Sequence, residues 1–373
     1  MVPSTDSDTL IVGGGLAGMA LAGYLRRQGR SPLIVEQTAE WRDTGYGIGL
    51  WEDGLAVCSE LGCLDSVREQ AADPSRFAVR AANGRLLTET SLPPTETLLL
   101  AIYRDDLHAA LRESVPSEWV RMGTEPTEIV EHADGVAVTF EDGTTEGFDL
   151  VVGADGVHST VRQACFTDWT KREHDTYIWS LWVPGELDIG ADMVSVWGPA
   201  CEGFLARVGD RLGLNFATRL DTPPEPPARD VLRERVADIG WRLPELLDST
   251  DETPFFDRVR SVSCESWHTD RVVLVGDAAH AIHPISGMGA SLALQDARVL
   301  AQELATGQPQ SPATALDRFE PQQRAAAKRV EREARFEAAL TFLESERLRR
   351  LRNGVVERTP LFEWFIQRQT TSG

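Results

Sequence analysis

The sequence predicts an α/β fold in which a discontinuous domain with a βαβ start carries an inserted antiparallel β-sheet and is followed by C-terminal helices. Three observations lead to this prediction. An apolar run at Thr9 to Gly13 precedes a glycine-rich turn and a helical pattern. Strand-like runs with turn residues between them fill most of 177–217. A charge-rich helical pattern covers most of 313–350.

The N-terminal half begins with a well-defined βαβ pattern. Thr9 to Gly13 has the composition of a buried parallel strand, Leu16 to Gln28 of a helix and Leu33 to Glu36 of a second strand. The turn pairs Asn83-Gly84 and Asp142-Gly143 predict two strand pairs, at 77–81 with 85–90 and at 128–140 with 144–152. Further helices are predicted at 52–61, 64–71 and 104–114.

The second half passes from sheet to helix. Strands are predicted at 177–183, 193–197, 204–208 and 211–217, and the stiff run Pro223 to Pro227 ends this sheet. Val272 to Val275 returns to the buried-strand pattern, and helices follow at 289–304 and over most of 313–350. We therefore divide the chain into a discontinuous first domain, an inserted sheet domain and a helical region, with the respective boundaries 1–75, 98–165 and 268–310; 76–97 and 166–267; and 311–373.

The net charge of the chain restricts its partners. It is −21 for 373 residues, and lysine occurs only at Lys171 and Lys328. So acidic a surface argues against nucleic acid and anionic membranes as partners. Two interpretations of the acidity stay open, an adaptation to high salt and an ordinary acidic protein encoded by a GC-rich gene.

Cysteine usage and the N-terminus concern the cellular compartment. The five cysteines are scattered without a Cys-x-x-Cys pair, which predicts reduced thiols and no disulfide framework. His280 and His283 lack carboxylate or thiol partners at metal-binding spacing, so no metal site is predicted. Met1 to Leu10 has no signal-peptide pattern, and no apolar run approaches the roughly 18 residues of a membrane span. We expect a cytoplasmic protein that is a monomer or a homodimer.

The turn after the first strand has the spacing of a dinucleotide-binding loop. Its glycines let the main chain approach a pyrophosphate, and the helix N-terminus supplies free amides and partial positive charge. Glu36 lies 18 residues beyond the last of these glycines, where a carboxylate accepts the ribose hydroxyls of an adenosine. This segment alone does not separate FAD from NAD. The expected contacts are Gly13, Gly15, Leu16, Ala17 and Gly18.

Two later segments complete a set of three motifs. One is GADGVHSTVR at 153–162, and the other is GDAAH at 276–280, followed by HPISGMG at 283–289. Together the three resemble the FAD-binding framework of the single-component, NAD(P)H-dependent flavin monooxygenases, the aromatic-hydroxylase or salicylate-hydroxylase-like flavoproteins. The resemblance implies a Rossmann-like FAD-binding domain with bound FAD and with NAD(P)H as co-substrate.

The resemblance also implies roles for the second and third motifs. Asp155 would border the FAD and the passing nicotinamide cofactor, although a carboxylate here can equally cap a helix beginning near Val157. Arg162 would hold phosphate or order the loop. In the third motif Asp277, which follows Gly276, would hydrogen-bond the ribityl chain of FAD.

The flavin ring is expected beside the end of the third motif. Pro284 and the turn Gly287-Met288-Gly289 would lie along the isoalloxazine, and the amides that open the next helix would face its pyrimidine edge. The sequence departs from the commoner family pattern, because Met288 stands where Gln is usual and Ser291 where Asn is usual. These departures affect side-chain contacts with the ring and leave the main-chain contacts intact.

Several further positions match the family. Arg104 resembles the arginine that reaches the ribityl and phosphate side of the flavin. Gly47 and Gly49, in the run GYGIGL at 45–50, resemble the loop beside the flavin, and Arg42 could contact the same region. The alternative for Arg104 is a surface arginine at a helix start.

The implied activity is hydroxylation or epoxidation of a small, electron-rich and usually aromatic substrate. NAD(P)H would reduce FAD, and reduced flavin would react with O₂ to a C4a-hydroperoxide that delivers oxygen. No side chain is obliged to act as acid or base; the candidates are Pro284, His283 and Arg104. The pocket is expected to be aromatic, with the alternative of core packing for each ring. The candidates are Trp179, Trp182, Trp197, Phe204 and Phe216.

Three alternatives to a monooxygenase remain at this stage. One is a flavin-dependent reductase or desaturase of an isoprenoid-type substrate, and another is a flavin-binding protein without turnover. The third is a flavin-dependent halogenase, because the run WSLWVP at 179–184 is similar to a halogenase motif. The spacing differs, however, and no lysine occurs in the first 150 residues.

Overall fold

Strands and helices are distributed over two main sheets and two small ones. The computed structural model describes residues 8–41, 46–92, 99–225, 228–306 and 312–360, together with residues 362 and 364. In chain order the strands are β1 (Thr9–Val12), β2 (Leu33–Glu36), β3 (Gly47–Trp51), β4 (Arg76–Ala81), β5 (Leu86–Ser91), β6 (Leu99–Tyr103), β7 (Val120–Met122), β8 (Pro126–His132), β9 (Gly135–Phe140), β10 (Thr145–Phe148), β11 (Leu150–Gly153), β12 (Trp169–Pro184), β13 (Met193–Trp197), β14 (Cys201–Val208), β15 (Arg211–Arg219), β16 (Phe255–Cys264) and β17 (Val272–Leu274).

The helices lie between and after these strands. In chain order they are α1 (Leu16–Arg27), α2 (Glu52–Leu61), α3 (Leu64–Gln70), α4 (Arg104–Glu113), α5 (Thr160–Cys165), α6 (Ala228–Ala237), α7 (Leu243–Asp248), α8 (Asp277–His280), α9 (Gly289–Thr306), α10 (Ala313–Thr341) and α11 (Glu346–Arg358). Short 3₁₀ turns occur at Gly156–His158 and Pro284–Ser286. None of the helices in the described ranges is long and apolar enough to cross a membrane.

A parallel sheet forms the first main layer, in the order β17-β11-β1-β2-β7. Its central strand β1 is fully buried, which explains why Leu10 and Ile11 belong to an uninterrupted apolar run. Helix α1 packs against α9 on this sheet. The carboxyl ends of β1, β11 and β17 therefore bring the three sequence motifs to one edge.

A larger, mostly antiparallel sheet forms the second layer, in the order β16-β12-β15-β14-β13-β4-β5. The β4–β13 pair is parallel, and the other pairs are antiparallel. The hairpin predicted at Asn83-Gly84 joins it, with Gly84 at φ +82°. One face packs on α6 and α7. The other face turns toward the edge where the motifs meet, so this sheet roofs that edge. The domain boundaries given above stay a prediction.

Two predicted elements have different extents in the structure. The strand predicted over 128–140 is two strands, because His132 pairs with Gly135 across a tight turn at Ala133-Asp134. The segment 144–152 also divides, since β10 pairs with β9 whereas β11 joins the parallel sheet.

The helix predicted over most of 313–350 is interrupted at 342–345, between α10 and α11. The interruption has a packing cause. Phe342 is only 1% exposed, and its ring lies 6.0 Å from that of His283. The carbonyl of Leu343 accepts a hydrogen bond from the amide of Ala200, 3.2 Å away. A continuous helix would carry both residues away from these partners.

Candidate functional site

The glycine loop after β1 is shaped by close main-chain approaches. Gly13 has φ +103°, and a Cβ there would come within 2.5 Å of the carbonyl oxygen of Ala154. A Cβ at Gly18 would collide with the carbonyl oxygen of Gly13. At Gly15 the nearest atom to an added Cβ is 4.0 Å away, so this side of the loop is open. The loop thus needs two glycines for its own packing and one for access.

Side chains from two elements, β2 and α4, hold the amide and the carbonyl of Gly14. Its amide donates to the Glu36 carboxylate at 3.0 Å, and its carbonyl accepts from Nε2 of His108 at 2.6 Å. The second oxygen of Glu36 accepts from the amide and hydroxyl of Thr38, each at 3.0 Å. Burial lowers the pKa of His108, which favours the neutral ring that can donate from Nε2. Glu36 uses three of about four lone-pair positions, so one remains for a ligand hydroxyl.

The second motif ties the first to the third. One oxygen of Asp155 accepts from the amides of Thr160 and Val161 at 2.7 and 3.1 Å, and so caps α5. The Arg162 guanidinium is fully buried and donates to the carbonyls of Val157 and Ala278, each at 2.8 Å. In the structure Asp155 therefore caps a helix, and Arg162 orders the loop.

The third motif is fixed by a buried ion pair. The Asp296 carboxylate accepts from the amide of Gly276 at 2.7 Å and from Nε2 of His280 at 2.5 Å. Burial alone would lower the pKa of His280, but the charge and hydrogen bond of Asp296 raise it. Gly276 has φ +60°, a left-handed conformation that favours glycine. This conformation directs the next residue, Asp277, out of the strand.

Asp277 presents its carboxylate to a cavity at the edge of the sheet. The side chain is accessible from the cavity but is surrounded by protein, and this burial raises its pKa, while His280 and Arg104 oppose the shift. None of the described side chains donates a hydrogen bond to it in the structure. An enclosed carboxylate without a donor is suited to a ligand that brings hydroxyl groups.

The cavity itself has a volume of about 570 Å³ and runs from the glycine loop to the large sheet. Both α1 and α9 point their N-termini at it, and the residue before α1 provides no side-chain cap. Uncapped amides at such a helix start attract anionic groups. The predicted site residues that line the cavity are Gly15, Leu16, Ala17, Gly47, Gly49, Arg104, Gly276, Asp277, His283, Pro284, Gly287, Gly289, Trp182 and Phe204.

Other predicted positions lie beside the cavity without lining it. Gly13 and Gly18 shape the loop from behind, and Glu36 and Asp155 hold main-chain groups. Met288 is also absent from the lining, although its neighbours Gly287 and Gly289 belong to it. Arg42 falls outside the described residues.

Contacts from β3 position the turn at 287–289. The Trp51 indole donates to the carbonyl of Gly287 at 3.2 Å, and the Trp51 amide donates to the Ser291 hydroxyl at 2.9 Å. Ser291, one of the departures from the family pattern, therefore links β3 to α9. Cβ atoms at Gly47 and Gly49 would come within 3.3 Å of Trp182 and 3.2 Å of Leu99. Gly47 therefore lets β3 pack closely under the large sheet, and Gly49 lets it pack closely against Leu99 of β6.

His283 is a weak candidate for proton transfer. Burial and the nearby His174 and Arg219 lower its pKa to about 3. Its Nδ1 accepts from the amide of Ile285 at 3.3 Å, and its ring packs edge-on against His174 with centroids 5.5 Å apart. A ring held neutral and engaged in this way supports the turn before Pro284. Arg104 lies over the Tyr46 ring at 5.9 Å and 3.5 Å from Asp105.

Alternation along the strands corrects part of the predicted aromatic pocket. Trp179 and Phe216 are fully buried on the face that packs against α6 and α7, so they belong to the core. Trp182 and Phe204 face the cavity, and Trp182 stacks on Tyr103 with centroids 3.6 Å apart. The spacing of 179 and 182 places the two tryptophans on opposite faces, because strand residues alternate.

Trp197 also lies outside the cavity, for a different reason. Met193, Ser195 and Trp197 share one face of β13. Met193 lines the cavity, whereas Trp197 lies two residues beyond Ser195 and so farther along the strand. There the guanidinium of Arg352 from α11 covers its ring at 4.5 Å. Helix α11 thus closes the large sheet beyond the cavity.

Several lining or supporting residues were not identified from the sequence. Tyr46 and Trp51 flank the glycine run of β3, and their aromatic character was the one available signal. Asp296 lies 20 residues beyond Gly276 within α9, where it resembles an ordinary surface carboxylate. Glu202 and Glu337 line the far end of the cavity from β14 and α10. Their proximity depends on tertiary packing alone.

The donor set fits FAD. The open side of Gly15 and the uncapped α1 suit a pyrophosphate, the free position on Glu36 suits a ribose hydroxyl, and Asp277 suits a polyol chain. Between β3 and the turn at 284–289 the lining consists largely of glycine main chain and aromatic rings. A planar heterocycle fits there.

Comparisons with known proteins agree with this geometry. A family model described as an FAD binding domain matches residues 6–334. A relative from Pseudomonas aeruginosa strain UCBPP-PA14, 2-heptyl-3-hydroxy-4(1H)-quinolone synthase, is 34% identical over 304 residues, which cover 79% of each chain. The 3-amino-4-hydroxybenzoate 2-monooxygenase PtmB3 of Streptomyces platensis is 29% identical over 326 residues, covering 83% of this chain and 82% of that one.

A solved structure extends the similarity to nearly the whole fold. Klebsiella pneumoniae HpxO in complex with FAD and uric acid superposes with a TM-score of 0.86 at 25% identity. The match covers 98% of each chain. The similarity therefore includes both main sheets and the C-terminal helices.

Proposed function

Because this chain belongs to the FAD binding domain family of flavin-dependent monooxygenases, we propose that it uses NAD(P)H and O₂ to hydroxylate a small aromatic compound. The observation that carries the proposal is the single cavity that joins the open glycine loop, Asp277 and the aromatic face of the large sheet. One end of this cavity suits a dinucleotide and the other suits a flat organic substrate. The curated relatives include the 3-amino-4-hydroxybenzoate 2-monooxygenase, which is in keeping with an aromatic substrate.

We assign the cofactor contacts to residues of the first and third motifs, with Glu36 and Arg104 beside them. Main-chain amides of Gly15, Leu16 and Ala17 would hold the pyrophosphate, and Glu36 would accept the adenosine ribose. Asp277 would accept hydroxyls of the ribityl chain, with Arg104 nearby as counter-charge. Each contact satisfies a group that the protein itself leaves open.

The flavin ring would lie between Pro284, Gly287 and β3. The N-terminus of α9 opens at Gly289 beside this position, and its partial positive charge would stabilise negative charge on a ring bound there. When bound, FAD accepts reducing equivalents from NAD(P)H and activates O₂.

The protein's own contribution to the reaction is positioning and exclusion of water. Trp182 and Phe204 from the large sheet and Phe342, directly after α10, bound the substrate end of the cavity with apolar surface. Such a lining keeps water from the reacting atoms and orients a flat ring by stacking. His283, with its low pKa, supports the wall without supplying or removing a proton.

The direct test follows O₂ and product together. The purified protein, loaded with FAD, is incubated with NADPH or NADH and a panel of phenols and aromatic amines under air. The proposal expects substrate-dependent NAD(P)H oxidation, with O₂ consumption and a product that has gained one oxygen atom. A product that forms equally well without O₂ would instead indicate the reductase or desaturase activity.

A further inference from the structure

Two glutamates from different elements face the far end of the cavity. Glu202 lies on β14, on the same face as Phe204, and Glu337 lies on α10, one turn before Phe342. Apart from the surface that lines the cavity, both side chains are enclosed by protein. None of the hydrogen bonds and charge interactions of either residue involves a residue assigned to FAD. They belong to the substrate end.

Glu202 has protein partners for its charge. The Ser195 hydroxyl donates to Oε1 of Glu202, and the Trp197 side chain donates a second hydrogen bond. Arg352 is close enough to favour the ionised carboxylate. Burial nevertheless raises the pKa of Glu202, so this carboxylate gains from any further donor that enters the cavity.

Glu337 has no such partners. Its Oε2 is buried, and within the described part of the chain it has no hydrogen-bond partner. Burial raises the pKa of Glu337 well above its usual value, and the charges of Glu202 and Glu333 raise it further. Ionisation of one carboxyl group of the pair therefore disfavours ionisation of the other. A carboxyl group that lines the cavity without a protein donor is suited to a ligand that supplies one.

The cations that line the cavity are engaged elsewhere. Arg258 donates to Glu173 at 2.7 Å, and Arg260 donates to Asp257 at the same distance. Arg104 lies beside Asp277 and is assigned to the cofactor end. No described lysine lines the cavity. Among the described residues that line the cavity, an aromatic carboxylate at the substrate end would therefore meet two carboxyl groups and no unengaged cation.

We propose that Glu202 and Glu337 form an acidic subsite that selects a neutral aromatic substrate with an N–H donor and without a carboxylate. The N–H group would donate to the carboxyl group of Glu337, which lines the cavity, or to that of Glu202. This proposal rests on the proposed monooxygenase function, whose substrate class it names. Specificity of this kind arises from a buried polar group that is left unpaired by the wrong ligand.

Binding of three probes of matched shape tests the subsite. Calorimetric titrations of the FAD-loaded protein at about pH 7.5 compare 4-hydroxybenzamide, methyl 4-hydroxybenzoate and 4-hydroxybenzoate. The amide carries N–H donors, the ester is neutral without them, and the acid is an anion. We expect the amide to bind about tenfold more tightly than the acid and more tightly than the ester. An acid that binds as tightly as the amide, or an ester that equals it, would overturn the proposal.

Three variants separate this subsite from general packing. In Glu202→Gln the negative charge is lost, so the acid should gain affinity and the amide-to-acid ratio should fall about fivefold. In Glu337→Leu the amide should lose its advantage over the ester. Glu344→Gln, an exposed glutamate outside the cavity, is the matched control and should leave both ratios within about twofold. Unchanged ratios in both cavity variants would contradict the assignment.

Failure of this inference and of the proposed function are distinguishable. The titrations require neither NAD(P)H nor O₂, so they rank the probes whether or not turnover occurs. Substrate-dependent O₂ consumption with a preference for aromatic acids would overturn the acidic subsite alone. Absence of any NAD(P)H-driven oxygenation would overturn the proposed function.

Discussion

Two glycines of one loop respond differently to the same added methyl group. At Gly18 a Cβ collides with the carbonyl oxygen of Gly13, whereas at Gly15 it points into open cavity. We predict that Gly18→Ala destabilises the fold by about 3 kcal/mol through overpacking. Gly15→Ala should fold normally and lose FAD affinity by about tenfold or more, because the methyl occupies the place of the pyrophosphate.

Thermal unfolding without FAD and FAD titration separate the two effects. Gly354→Ala is the control, since this glycine lies in α11 with no atom within 4 Å of an added Cβ. It should leave FAD affinity unchanged and stabilise the helix slightly, by about 0.5 kcal/mol. Tight FAD binding by Gly15→Ala would contradict the placement of the pyrophosphate.

Asp296 is a second residue with a large expected effect. It is fully buried and holds both the amide of Gly276 and the ring of His280. Asp296→Asn should cost about 3 kcal/mol of unfolding free energy, because it leaves an uncompensated group in the core. It should also weaken FAD binding, because Asp277 directly follows Gly276, whose amide Asp296 holds. Asp317→Asn, whose side chain is 71% exposed, should change stability by less than about 0.5 kcal/mol. Equal effects of the two variants would show that the buried pair is unimportant.

His283 gives a prediction for pH dependence. Burial lowers its pKa to about 3, so it stays neutral in the folded protein where an unfolded histidine is already protonated. Its contribution to stability is therefore complete above about pH 6.5 and is lost as pH falls toward about 3. We predict that the unfolding free energy of His283→Asn falls less steeply as pH decreases through this range. We also predict that its kcat/KM has the same pH profile as that of the unsubstituted protein. Loss of an inflection near pH 6.5 in the variant would restore His283 as a proton carrier.

Between elements, the 3₁₀ turn at Gly156–His158 and helix α8 are joined by one side chain. Arg162 donates to carbonyls on both, and its guanidinium lies 4.7 Å from the centroid of the Trp169 ring. Lysine cannot replace this geometry because it has a single charged nitrogen. We predict that Arg162→Lys loses about 2 kcal/mol of stability. Chemical denaturation measures the loss against Arg335→Lys, whose side chain is 72% exposed. A variant at Arg162 as stable as this control would refute the bridging role.

The secondary-structure elements differ in how well the sequence predicts them. Elements with local signals were predicted closely, such as β1, α1, β2 and the hairpin at Asn83-Gly84. The break at 342–345 was missed because it depends on Phe342 packing beside His283, a contact between distant segments. Periodicity identifies a helix, but the partner that ends it is a tertiary feature.

For the site, the sequence predicts main-chain contacts better than side-chain contacts. The glycines and the turn at 287–289 reach the cavity because strand-loop-helix geometry fixes them locally. The aromatic candidates separated into core and cavity residues because one residue of register decides the face. Glu337 lies 135 residues from Glu202, so only the packed structure brings the two together.

At the scale of the whole molecule, the charge of −21 is the dominant feature. Charges of one sign repel one another in the compact state, and salt reduces this repulsion. We predict that Tm rises as KCl increases from about 0.1 M to about 2 M. Differential scanning calorimetry across this range is the measurement. An unchanged Tm would contradict adaptation to high salt and favour the ordinary acidic protein.

We expect this fold to bind FAD so that NAD(P)H can reduce the flavin and O₂ can reoxidise it. The most direct measurement is the visible spectrum of the purified protein before and after NADPH or NADH is added under air, with substrate candidates present. We expect a bound-flavin spectrum that bleaches and then recovers when the nicotinamide cofactor is consumed. A protein that binds no flavin, even after FAD is supplied, would contradict it.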